Sequence, residues 1–122
     1  MNKEFSNKIM VCPFESIPAI VAHPFTGFTE LHSNVDVVPN TPQKQASGNP
    51  YFEFNLRTTH TELSAAQLAL VSNNRRLVLL LFDHSGNHYQ VGTASIPVIP
   101  ELNQLKFNGE LKFTARLLNL PF

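Results

Sequence analysis

The sequence predicts a mainly β fold: an antiparallel β-sandwich or open barrel of about seven strands, with one short helix in a crossover. Three observations carry this. Leu77 to Phe82 is an unbroken run of six apolar residues bounded by turn-formers, the mark of a strand buried on both faces. Residues 51–59 and 107–117 alternate apolar and polar side chains, the period of a half-buried strand. A helical pattern stands out at one place, about residues 65–72.

In chain order, Ile9, Met10, Val11 and Phe14, then Ile17, Ile20 and Val21, suggest two short strands in residues 8–23. Pro13 and Pro18 interrupt them and argue for edge or bulged positions, because proline cannot donate to a ladder. Phe25 to Phe28 reads as a turn carrying aromatics, and Leu31 to Val38 as a further strand. Residues 39–50 are polar and contain Pro39, Pro42 and Pro50; they read as an exposed loop or arm. In the strand that follows, Phe52, Phe54 and Leu56 take one face and Glu53, Asn55 and Arg57 the other.

Ser64 and Gln67 have capping-box spacing, each side chain able to satisfy a free N–H of the first helical turn. Leu63 and Leu68 would form the hydrophobic staple, and Asn73-Asn74 a stop, so the helix spans about Ala65 to Ser72. The Asp83 to Asn87 cluster reads as the turn of a central hairpin, with His88 to Val91 returning and Gly86 supplying a positive φ. Ile96-Pro-Val-Ile-Pro100 is extended and belongs at an edge. In the last strand Leu111, Phe113, Ala115 and Leu117 share a face, with Lys112, Thr114 and Arg116 opposite. Leu118 to Phe122 forms an apolar tip that calls for a partner surface.

One domain, residues 1–122, accommodates all of this at the usual domain size. Formal net charge is zero with nine basic and nine acidic residues, which argues against polyanion binding driven by overall charge. Charged residues make up 15% of the chain, against an average near 25%, a hint that neighbours cover part of the surface. Cys12 is the sole cysteine, so an internal disulfide is excluded. The Ile9–Cys12 run is too short for a signal-peptide core, and no run approaches the length of a membrane-spanning helix. The expected location is the cytoplasm, or a virion.

Chemistry is thinly marked. Of His23, His32, His60, His84 and His88, only His84 and His88 have metal-ligand spacing, with Asp83 beside them. No third ligand announces itself, and turns favour Asp, His and Asn for backbone reasons. Cys12 lies in an apolar run without a catalytic signature. There is no Gly-x-Ser-x-Gly elbow and no carboxylate pair, and Gly86, Gly92 and Gly109 do not make a phosphate loop. Aromatics interleaved with Arg57, Lys112 and Arg116 fit a single-strand nucleic-acid platform. Yet Phe52, Phe54, Phe107 and Phe113 take the apolar phase of their strands, as core residues do. Arg75-Arg76 reads as a solvated turn. No catalytic, cofactor-binding or metal residue is therefore assigned, and no cofactor.

The order of signals over residues 50–120 resembles small β-rich proteins encoded in bacterial prophages and related mobile elements. The features are the Phe-rich strand at Tyr51–Leu56, the helix, the run from Arg76 through Asp83-His-Ser-Gly-Asn-His-Tyr-Gln-Val-Gly92, Pro97, and a last strand opening Phe107-Asn-Gly109. The resemblance implies a virion structural part, of tail, baseplate or head–tail type, and transfers no site residues. The expected function is thus non-enzymatic assembly through strand edges and apolar tips, with copies of itself or neighbouring structural proteins as partners. The alternative is a small-ligand or carbohydrate-binding β-sandwich. A nucleic-acid partner and an enzyme rank below both.

Overall fold

The structure, a computed structural model, describes residues 4–17, 25, 27–60, 63–71, 75–93, 95–104 and 109–122. Two four-stranded antiparallel sheets face each other as a sandwich. The strands are β1 (Lys8–Pro13), β2 (Thr29–His32), β3 (Gln43–Ala46), β4 (Asn49–His60), β5 (Leu77–Phe82), β6 (His88–Val91), β7 (Ile99–Gln104) and β8 (Gly109–Leu117). The first sheet runs β2-β1-β5-β6 and the second β3-β4-β8-β7. Helix α1 (Ala65–Leu70) carries the chain from the second sheet to the first.

β5 lies inside its sheet, between β1 and β6, with all six residues buried. Leu77, Leu79 and Leu81 point into the sandwich, against Phe54, Leu56, Leu111 and Phe113 of the second sheet. Leu80 and Phe82 point the other way and are covered by Phe25, Phe28 and Met10, a second small core on the outside of the first sheet. This is why a continuous apolar run is tolerated there: neither face meets water. Phe25 holds φ 54°, strained for a large side chain, and its ring meets Phe82 edge-on with centroids 5.7 Å apart.

The seams between sheets are backbone bonds. Leu77 and Val98 exchange both N–H···O bonds, each 2.8 Å. On the other side, Asn34 N–H donates to the Thr59 carbonyl at 2.7 Å. Thr58, buried on the inner face of β4, donates its hydroxyl to the Leu111 carbonyl, so its burial leaves no orphan polar group.

Four expectations need correction. β1 is an interior strand despite Pro13: the proline is its last residue, and the next amide, that of Phe14, already donates to the Arg76 carbonyl. Of the 39–50 stretch, residues 43–50 are exposed while Pro39 is buried, and the stretch is only partly a loop. Asn40 bridges Asn55, and Gln43–Ala46 pairs with Phe52–Asn49 through a two-residue turn, Ser47-Gly48, whose residues both take positive φ. A hairpin turn of that kind matches strand twist, so the stretch lies down as an edge strand. The apolar tip finds its surface within the chain in part: Phe122 packs edge-on to Phe5 at 5.0 Å and to Tyr89 at 6.4 Å, while Leu118 stays 66% exposed. The strand expected over Leu31–Val38 ends at His32 and continues as an isolated bridge, Val37 to Phe5.

The Ser64–Gln67 capping box is present in both directions. The second strand expected beyond Ile17, the Asn73-Asn74 stop, His23 and the Phe107-Asn108 start of the last strand lie outside the described residues.

Candidate functional site

The two sheets differ on their outer faces. The first carries the small core just described; on the second, no such apolar cover is found among the described residues. Because inward and outward residues alternate, burying Phe54, Leu56 and Thr58 on β4 turns Tyr51, Glu53, Asn55 and Arg57 outward. On β8, burial of Leu111, Phe113, Ala115 and Leu117 does the same for Lys112, Thr114 and Arg116. The β4–β8 register sets Glu53 opposite Arg116, Asn55 opposite Thr114 and Arg57 opposite Lys112.

All of these but Arg57 floor a groove of about 980 Å³. Lys44 of β3 bounds it on one side; Arg76 and the Ser95–Pro97 segment bound it on the other. A smaller depression of about 430 Å³, lined by Val38, Asn40 and Arg57, shares Glu53, Asn55 and Lys112 with it. Five of the nine Lys and Arg residues of the chain (Lys44, Arg57, Arg76, Lys112, Arg116) line these two depressions, with Glu53. Two further carboxylates stand on the same face, Glu101 opposite Lys112 and Glu110 beside Arg57.

Glu53 is engaged by Lys44 and by the Asn55 amide. These hydrogen bonds hold the Glu53 carboxyl below its ordinary range, and the one from Glu53 raises the Lys44 ammonium. Arg57 is 3.8 Å from Glu110. Arg116 lies over the Tyr51 ring at 5.3 Å, and Arg76 over Phe14 at 5.8 Å. Among the described residues, no carboxylate stands within ion-pair distance of Arg76, Lys112 or Arg116.

His84 and His88 do not converge. His88 lies edge-on to Phe25, centroids 5.0 Å apart. The imidazole of His84 instead approaches Glu4 at 3.4 Å and Asp36 at 3.3 Å. The three could offer one ligand atom each within 4.8 Å of one another, a grouping that sequence spacing hides because residues 4, 36 and 84 lie on separate loops. All three are exposed, and exposed acidic groups commonly gather in this way without an ion. Asp83 is a turn latch: it accepts from the Ser85 and Asn87 N–H groups at 2.9 Å and from the Asn87 amide and Tyr89 hydroxyl at 3.1 Å. Cys12 is buried, its thiol donating to the Pro13 carbonyl; burial, then the neighbouring Glu15 charge, pushes that thiol up.

Arg57, Lys112 and Arg116, picked out in the sequence, are thus brought to one face; Phe54 and Phe113 are buried beneath it. Arg76, read as part of a solvated turn, lines the groove, and Lys44 joins it through the edge strand. Among the described residues no helix is long and apolar enough to cross a membrane. No family model matches the chain, and neither the curated proteins nor the solved structures gave a match.

Proposed function

We propose that this protein is a non-enzymatic binding module that holds an anionic ligand on the outer face of its second sheet. The carrying observation is the convergence of Arg76, Lys112 and Arg116 on a polar groove, none within ion-pair distance of a carboxylate among the described residues, although Glu53 stands opposite Arg116 and Glu101 opposite Lys112 in the ladder. Cations lining a concave, low-charge surface focus potential outward and favour an anion. Recognition needs only Coulomb attraction and hydrogen bonds from Asn55, Thr114 and Tyr51, and no nucleophile–base pair stands in the groove among the described residues.

Thermal unfolding in rising citrate, against sodium chloride of equal ionic strength, tests this. A ligand that binds the folded state raises the midpoint with concentration. Citrate should do so for the native chain and not for the Lys112→Gln/Arg116→Gln double variant; equal shifts in both would end the proposal.

A second reading, assembly of the virion-component type, rests on the fully exposed edge strand Gln43–Ala46, whose outer edge offers backbone groups to another chain. It is weakened by the inward folding of Phe122. Light scattering across a concentration series decides it: a monomer throughout, with no partner captured, removes that reading.

A further inference from the structure

We infer that β3 pairs antiparallel with the β3 of a second copy, about a two-fold axis through Gln43, so that the second sheets of two chains become one. This deepens the assembly reading above and does not depend on the anion groove.

The register decides which backbone groups are free. Asn40 and Asn55 exchange both N–H···O bonds, and Glu53 N–H donates to the Pro42 carbonyl. Bonded pairs recur at every second residue of an antiparallel ladder. Lys44 and Ala46 therefore also turn their backbone groups to β4, opposite Tyr51 and Asn49. Thr41, Gln43 and Gln45 turn theirs outward. They present N–H and C=O groups at the two-residue spacing that an added antiparallel strand meets.

Edge strands are commonly disabled by proline, charge or a bulge. β7, the other edge of this sheet, carries Pro100. On β3 the same devices are turned away from the edge. Pro42 has its nitrogen on the side facing β4, the side on which its carbonyl accepts from Glu53. Lys44 is drawn over the sheet face by Glu53. The Ser47-Gly48 turn, at φ 53° and 82°, carries the hairpin twist without a bulge. All residues of β3 are exposed.

Self-complementarity selects a second copy and the register. A two-fold contact needs a patch that matches itself. With the axis through Gln43, that residue meets its own counterpart, Thr41 meets the copy's Gln45, and Lys44 meets the copy's Pro42. No like charges stand directly opposite. An axis through Lys44 sets two ammonium groups face to face, which a ladder disfavours. One through Pro42 sets Gln45 against Pro39, which lacks an N–H, and one through Gln45 runs Gln43 onto the copy's turn at Ser47. The favoured axis stands perpendicular to the sheet, so the grooves of both copies open on the same side.

Sedimentation velocity of the full chain from about 10 µM to about 1 mM tests this, because so short an edge contact falls in the weak class below about 1,200 Å². The parent should dimerise as concentration rises. Gln43→Lys and Gln43→Glu each set like charges across the axis, and each should weaken the dimer about fivefold. Gln43 is exposed and its backbone makes no bond to β4, so neither variant touches the chain's own pairing. Mixed in equal amounts, the two variants should associate at least as tightly as the parent. A parent that stays monomeric throughout would overturn self-pairing, whereas a foreign chain captured on the same edge would still leave the assembly reading standing. Association indifferent to both charges, or not restored by mixing, would also overturn the inference. None of these outcomes bears on stabilisation by citrate.

Discussion

Arg57 on β4 and Lys112 on β8 stand directly opposite each other across the antiparallel ladder, on the uncovered face of the second sheet. Lys112 also stands opposite Glu101 of β7, so reversing its charge relieves one like-charge pair and creates another. Lys112→Glu should therefore leave stability within about 0.5 kcal/mol of the parent and abolish citrate-dependent stabilisation. Urea unfolding with and without citrate checks both; a variant that keeps the citrate effect would contradict the role given to Lys112.

Gly92 follows β6 and holds φ +90° where the chain turns against the β7 approach. A Cβ built there would lie 3.0 Å from Val98 Cγ2 and 3.2 Å from the Ile96 carbonyl. Val98 is locked by its two bonds to Leu77, so the neighbour has little room to give. Gly92→Ala should cost about 1–3 kcal/mol, read as a lowered urea midpoint with an unchanged slope.

The doubly buried β5 makes a matched pair of predictions. Leu79→Ala opens the main core and Leu80→Ala the small outer one; both residues are fully buried. Each should lose about 2–5 kcal/mol. A Leu80→Ala variant as stable as the parent would mean that Phe25 and Phe28 do not cover the outer face.

Asp83 links the central hairpin to pH. Burial works against its ionisation, but bonds from Asn87, Tyr89 and Ser85 outweigh it and hold the carboxyl below the ordinary aspartate range. A depressed folded-state pKa stabilises the protein above the unfolded value, about 3.9, and the contribution is lost as pH falls through the folded value. The stability gap between the parent and Asp83→Asn should therefore be widest above about pH 5 and close on acidification. Urea midpoints at several pH values measure it, and a gap independent of pH would refute it.

Cys12 should be unreactive to a thiol reagent in the folded chain, because only the thiolate attacks and burial disfavours it. Reaction should track global unfolding in a urea series; rapid labelling without denaturant would show that the cover over the outside of the first sheet opens on its own.

Local pattern was enough for the fold class, for the doubly buried strand at Leu77–Phe82, for the alternation that buries Leu56 and Phe113, and for the Ser64–Gln67 cap, since each depends on residues a few positions apart. Long-range pairing decided the rest. Pro13 reads as an edge signal until Phe14 is seen to supply the next ladder bond, and the polar 39–50 stretch becomes a strand only because β4 offers it an edge. Phe122 finds its cover in Phe5, at the far end of the chain. The groove is the clearest case: a zero net charge and scattered Lys and Arg say nothing of a groove lined by Lys44, Arg76, Lys112 and Arg116. It arises because the β4–β8 register places Arg57 beside Lys112 and Glu53 beside Arg116, and a slip of one residue would turn those side chains to the other face.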